Sequence, residues 1–466
     1  MEFVVKNFAI VNEADIKVKP FTIFIGSNAS GKSYILYLIW SLLTTEIDWE
    51  FLSSLMEELY DIIIDCNPKE ASMHIKNLFV DIFANFPRLL AVPFKGYLKE
   101  TFLVSELDKL IGSHSKDSQI IIMNKGEEVL KYIIRSQDTL IVSISDSVID
   151  KVRSSFDISV SAIGRGKLRV EGFIDGERIF NIAIDIRDKS SFIQSFYAII
   201  PSVLFEYLGY CPAMTVPILP DGRAGILRAM DPLSKHLLIS RWRTIDISNV
   251  DREFFRALSS PMVRIKDRDI AKIADFIEEK LGFKVVTRRE QPYIVIKDVE
   301  SGKIMSLEQS PSGIREIAPL LLFMRYHLPK DSILFVEEPE AHLHPDAQVY
   351  VLRGLAMLVN MGVYILMTTH SIHVIDELSN LISMDLIKDL THKYSQLGYI
   401  RDEILSPDIV SIYLFKRDGG VEKVEVSYEG VHENHMDMIL NEIANVYTTI
   451  QNIIGQARSR HATKNH

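Results

Sequence analysis

Residues Gly26 to Ser33 read GSNASGKS, a loop set between the apolar runs FTIFI and YILYLIW. Glycines at both ends let successive backbone N–H groups converge on one anion, and a helix starting behind them adds a favourable field. A lysine in such a loop neutralises phosphate oxygens, and the hydroxyl after it can ligate a divalent cation. The spacing G-x-x-x-x-G-K-[ST] makes Gly26, Ser27, Asn28, Ala29, Ser30, Gly31, Lys32 and Ser33 a candidate cradle for the phosphates of ATP, with Ser33 on Mg²⁺. A plain glycine turn is the competing reading. It weakens because a strand pattern precedes the motif and a helix pattern follows.

The segment SILFVEEPEAHLHPDAQ, 332–348, supplies acid. Four apolar residues, Ile333 to Val336, end in Glu337 and Glu338. At the carboxyl edge of a parallel strand such groups point into the ligand crevice. Neighbouring strand residues face opposite sides, so the two carboxylates take different tasks. Glu337 is assigned to the metal, and Glu338 to the water attacking the γ-phosphate. A solvated strand end is the plainer alternative, and the phosphate loop upstream argues against it. His342 and His344, with His370 and His373 later, raise the question of zinc. Zinc needs three or four converging ligands, and polar turn residues are the preferred reading.

His370 in TTHS lies at a second strand end, where it can hydrogen-bond the γ-phosphate. In SPSGIREIAPLLLF, Ser312 and Gly313 stand just before a strongly apolar helix. Alone, the pattern predicts a cap at Ser312 or Gly313, with Glu316 spaced to complete a capping box. The functional alternative is a second anion site, meeting the γ-phosphate of a nucleotide held by another subunit.

These residues need a sheet to bring them together. Short strands are expected at 2–6, 14–18 and 21–25, then a helix over 32–45. Residues 47–111 keep helical spacing, with breaks near Pro68, Pro87 and Pro93. From about 117 to 185, six short β-patterned runs read as an antiparallel meander. Helices follow near 189–209, 224–238 and 266–281, then the strands FKVVTR and PYIVIKD. SILFVEE and VYILMTT are continuous apolar runs, as parallel strands covered on both faces require. The tail reads as a hairpin, IVSIYLFKRDGGVEKVEVSY, and a last helix over 434–456. The expected divisions are 1–46, the first part of a head; 47–200, a helical then β insertion; 201–400, the rest of the head; and 401–466, the hairpin and helix.

The chain has 466 residues, 47% apolar and 24% charged, enough for a large core. A net charge of −10 gives no support for a chain that coats nucleic acid, and leaves a local basic groove open. The basic stretch IGRGKLR, 163–169, reads first as a charged hairpin tip. Cys66 and Cys211 make no disulfide framework, so a reducing cytoplasm is the expected setting. MEFVVKNFAI lacks the pattern of a secretion signal, and SFYAIIPSVLFEYLGY, with Pro201 and Glu206 inside it, is expected as a buried helix rather than a membrane span.

In order, GSNASGKS, SPSGIRE, ILFVEEPE, AHLHP and TTHS resemble the Walker A, signature, Walker B, D-loop and His switch of ABC-type ATPase heads. The chain most resembles the OLD-like and SMC/RecF-like group, on EEPEAHLHPDAQ and PILPDGRAGIL, with good matches over 1–45 and 215–385. The resemblance implies a P-loop α/β fold of ABC-head type, with a mixed central sheet, an antiparallel β subdomain and a large insertion. It implies a dimer as minimal unit, with two heads sandwiching two ATP molecules and Ser312 and Gly313 completing the partner's site. It also implies a separate effector such as a nuclease or toxin, with a role in defence against phage or mobile DNA. An ATP-gated scaffold of negligible turnover and a RecF-like DNA-repair ATPase are the alternatives. The sequence departs from the family pattern with Glu337 where Asp is usual and Ile314 where transporters carry a second glycine. Gln194, Gln309 and the loop near Arg223 stay open as the place of the lid. No long heptad arm and no Toprim-like acidic cluster is read in the sequence, so the nuclease activity of OLD nucleases does not carry over.

Overall fold

The computed structural model describes residues 1–209, 216–227, 247–259, 262, 264–288, 294–432 and 445–451. A seven-stranded sheet lies at its centre. In spatial order the strands are Ile218–Leu219, Ile333–Glu337, Tyr364–Thr368, Phe21–Gly26, Val410–Phe415, Val421–Ser427 and Gly430–His432. The first five run parallel, and each of the last two is antiparallel to the strand before it. The strand feeding the glycine loop and the strand ending in acid are therefore not neighbours. Tyr364–Thr368 runs between them, with Thr368 in register with Glu337 on one side and Phe24 on the other. Three strand ends stand side by side, and the chain leaving the middle one carries His370.

Alternate residues of these strands enter different cores. Ile23, Ile25, Leu334, Val336, Ile365, Met367 and Ile412 pack into one with the helices Arg268–Leu281, Ser312–Tyr326, Pro345–Asn360 and Ile372–Ser383. Phe24, Phe335, Leu366 and Tyr413 pack into the other, with the helix Lys32–Thr44. Coverage on both faces explains why these strands read as unbroken apolar runs. The first half of the tail hairpin is such a strand: Val410–Phe415 lies parallel beside Phe21–Gly26.

The run expected as one meander divides in two. Asp117–Asn124, Glu127–Arg135 and Thr139–Ile144 extend the N-terminal hairpin Glu2–Phe8 and Val11–Lys17 into a five-stranded sheet. Phe156–Gly164, Lys167–Ile174 and Glu177–Asp185 form their own three-stranded sheet. Between them lies a helix the β texture concealed, Asp146–Ser155, which buries only Val148 and Val152. The helical stretch comprises Trp49–Ile63, Pro68–Ala84 and Phe86–Phe102. Pro68 and Pro87 stand in first turns, as expected of a proline at a helix start. Pro93 does not break its helix. Its missing N–H would orphan the carbonyl of Leu89, which instead accepts the Asp48 N–H at 3.0 Å.

Lys189–Leu208 is long and apolar enough to cross a membrane, and it buries Phe192, Phe196, Ile200 and Val203 in the second core. Of the helices expected over 224–238 and 434–456, only residues 224–227 and 445–451 fall within the described residues, and both stretches are helical.

Candidate active site

The glycine loop closes tightly because side chains are excluded from it. Gly26 has φ 133°, and a Cβ there would lie 2.2 Å from the carbonyl oxygen of Phe415. Gly31 has φ 101°, and a Cβ there would lie 2.5 Å from Val11 Cγ2. The helix Lys32–Thr44 begins with no side-chain cap and no acid in its first turn, so its first N–H groups point into the loop unclaimed by a side chain. Lys32 is buried, and its Nζ donates to the carbonyls of Gly26 at 3.0 Å and Ser27 at 2.9 Å. Burial pushes its pKa down to about 8, against the pull of the Glu338, Glu337 and Glu340 carboxylates. Asn28 and Ala29 are exposed at the loop tip, Ser27 is half-buried and Ser30 buried.

The sheet brings the acids to this loop. Glu337, 5% exposed, accepts the Ser33 hydroxyl on one carboxylate oxygen. Its other oxygen accepts the Tyr37 hydroxyl, and the Asp221 N–H at 3.1 Å. Burial, then the Glu337 charge, pushes the Tyr37 pKa well up, so the phenol stays a donor. Tyr37 escaped the sequence reading, although its spacing of four from Ser33 puts both on one helix face.

Glu338 turns the other way, toward His370, whose Nε2 stands 3.0 Å from its Oε1. That hydrogen bond holds the Glu338 carboxyl below its ordinary pKa, against desolvation. Glu338 also has φ 42°, a left-handed conformation costing a non-glycine residue about 1–2 kcal/mol. Behind it, buried Glu340 accepts the Thr369 hydroxyl and the His370 N–H at 3.0 Å, which fixes the turn carrying the histidine. Burial pushes the Glu340 pKa up.

The signature-like segment departs from the expected cap. The helix is capped by Pro311, Ser312 is its exposed first residue, and no side chain bonds its first N–H groups. Glu316 is buried and faces Arg223 instead of closing a capping box. A burial partner has outcompeted a cap worth about 1 kcal/mol. Gly313 packs on the turn after the acidic strand, where a Cβ would lie 2.9 Å from the His342 carbonyl oxygen. Ser312 and Gly313 thus start a helix beside that turn, and no hydrogen bond or ion pair joins them to the cluster around Lys32, Glu337, Glu338 and His370. His344 caps the next helix position and meets Asp346 at 2.5 Å. Among the described residues no three His, Cys, Asp or Glu side chains are grouped to hold a metal ion. Gln194 and Gln309 are exposed, whereas Arg223 is buried.

A sequence model of the AAA ATPase domain matches residues 1–281 and 246–375, which span the loop, both acids and His370. The chain belongs to this family. As an AAA ATPase domain protein it combines a P-loop with an acidic strand that lies one strand away across the sheet. Solved structures similar to it include an SMC head bound to the C-winged helix domain of ScpA, at 14% identity and a TM-score of 0.39, covering 94% of this chain and 98% of that one. They also include the SMC head domain from Thermotoga maritima, at 10% identity and 0.35, covering 91% and 98%. A third is the Smc head domain with an extended coiled coil bound to the C-terminal domain of ScpA, derived from Pyrococcus furiosus, at 11% identity and 0.35, covering 95% and 98%. The family assignment rests on the sequence match. No curated protein sequence matches the chain.

Proposed function

We propose that this chain is an ATP-hydrolysing switch. It assembles head to head as a dimer, with the OLD-like ATPases as its subgroup and the cytoplasm as its setting. One observation carries the reading: the Ser33 hydroxyl meets the Glu337 carboxylate across a parallel sheet, with Lys32 buried behind the same loop and Glu338 paired to His370.

The donor set fits a magnesium-bound triphosphate, since Mg²⁺ takes one or two protein oxygens and keeps waters and phosphates for the rest. Ser33 and Glu337 would hold the ion, which when bound neutralises charge on the phosphates. The uncapped helix and the loop N–H groups hold phosphate oxygens, and Lys32 adds its charge. Glu338, kept ionised by His370, accepts a proton from water. His370 orients that carboxylate. Ser312 and Gly313, away from this cluster, are assigned to the partner's nucleotide. Closure and opening of the dimer would control a separate effector, a nuclease or toxin, in defence against phage or mobile DNA.

The test is steady-state phosphate release together with molecular mass with and without ATP, each measured with DNA or RNA added. Release with ATP-dependent doubling of mass is expected. Absence of ATP binding refutes the reading, and salt-sensitive duplex binding that requires ATP favours the RecF-like alternative.

Lys32 makes the binding step pH-dependent. In the free protein it loses its proton around pH 8, and the deprotonated amine no longer neutralises phosphate. Affinity should be flat below that pH and fall by about tenfold per unit above it. Titration calorimetry in buffers of different ionisation enthalpy should show proton uptake on binding near pH 9. Binding without proton uptake would contradict the role given to Lys32.

A further inference from the structure

We propose that Arg223 is a positioning residue for Glu338, its guanidinium fixing the backbone turn from which the general base projects. The proposal rests on the reading of Glu338 as that base. Arg223 is 1% exposed, and both of its terminal nitrogens donate to this turn. Nη1 donates to the Glu337 carbonyl at 2.6 Å and the Pro220 carbonyl at 2.8 Å, and Nη2 donates to the Glu338 carbonyl at 3.0 Å. Nε donates its one hydrogen to the Glu316 carbonyl at 3.0 Å. The Glu316 Oε2, 3.2 Å from Nε, therefore contributes charge rather than a hydrogen bond. Its Oε1 accepts the Ala224 N–H at 3.0 Å, tying the arginine's own segment to the helix Ser312–Tyr326.

A buried arginine that only neutralised Glu316 would need one contact. This one grips two successive carbonyls at the residue with φ 42°. From the other side, the Glu338 N–H donates to Thr368 O and Oγ1, both at 3.2 Å. The left-handed turn is thus held at its N–H by the histidine strand and at its carbonyl by Arg223. That turn sends Glu337 toward Ser33 and Glu338 toward His370. A planar fork serves three directions at once, which an ammonium on a flexible stem does not.

The test is Arg223→Lys, followed by phosphate release, ATP affinity, and hydrogen exchange read by mass spectrometry over residues 26–33 and 337–343. Turnover should fall about a hundredfold, the cost of misplacing a catalytic group by an ångström. Affinity should stay within about threefold, and exchange should quicken over 337–343 and not over 26–33. Unchanged turnover overturns the proposal. So does a loss of turnover and affinity together with faster exchange in both segments, which marks a merely structural role. Should Arg223→Lys not fold, Glu316→Gln carries the same test. It keeps the guanidinium and removes its counter-charge, so the same split is expected at about tenfold; unchanged turnover or uniform exchange there overturns the proposal too. A wild-type protein that releases no phosphate refutes the ATPase reading instead, and the exchange pattern then decides the placement alone.

Discussion

Glu338→Gln is expected to lower phosphate release by about a hundredfold to ten-thousandfold and leave ATP affinity within about threefold. The amide keeps the shape of the side chain and the left-handed turn, and it cannot accept the proton of an attacking water. Glu338 accepts no hydrogen bond from Ser33 or Lys32, so the hydrogen bonds at the proposed phosphate and metal site survive the change, and Lys32 loses one of the three carboxylates that attract it. Loss of the charge-assisted bond with His370 frees the imidazole, a local change at the strand end beside the glycine loop. With the chemical step stopped, the variant should accumulate in its ATP-bound state, and ATP should double its mass more completely than in wild type. Phosphate release, calorimetry and light scattering read these three quantities. Undiminished release would remove Glu338 from the role of base. Negligible release by both proteins, with ATP-dependent doubling retained, would favour the scaffold alternative.

Much of this site is legible in the chain before any coordinates, because each part has its own local chemistry. The glycines, Lys32 and Ser33 are fixed by what a phosphate loop needs, and Glu337 and Glu338 by the abrupt end of an apolar run. Spatial order is another matter. Nothing local tells Ile333–Glu337 that Tyr364–Thr368 will separate it from Phe21–Gly26, or that Val410–Phe415 will pair on the far side. The two pairings made by Phe21–Gly26 join residues hundreds of positions apart, and they are decided by which faces can be buried together. Arg223 illustrates the same limit. Its segment has no periodicity, and its strand, Ile218–Leu219, is only two residues long, so its place under the acidic turn follows from register with Phe335 and Val336. Glu316 misled for the opposite reason. A cap signal is local and strong, and a buried counter-charge from a distant segment outweighed it.

Lys32→Ala is expected to weaken ATP binding by roughly 30- to 3000-fold, the range for removing one partner of a buried, hydrogen-bonded charge pair. Its effect on the stability of the free protein should be small. Without nucleotide, the Lys32 ammonium is buried against two carbonyls, and desolvation outweighs the pull of three nearby glutamates. Replacing it by alanine gives up two hydrogen bonds, each worth about 1 kcal/mol, and removes the cost of burying the cation. The two terms oppose each other, so the melting temperature of the free variant should stay within a few degrees of wild type. What should vanish is the rise that ATP and Mg²⁺ produce in wild type, since a ligand stabilises only the state it binds. Thermal melts of both proteins, with and without ATP–Mg²⁺, separate these effects in one experiment. An ATP-induced rise in Lys32→Ala equal to that of wild type would mean that the nucleotide is held elsewhere. A collapse of the free variant would mean that Lys32 serves the loop's own architecture before it serves a phosphate.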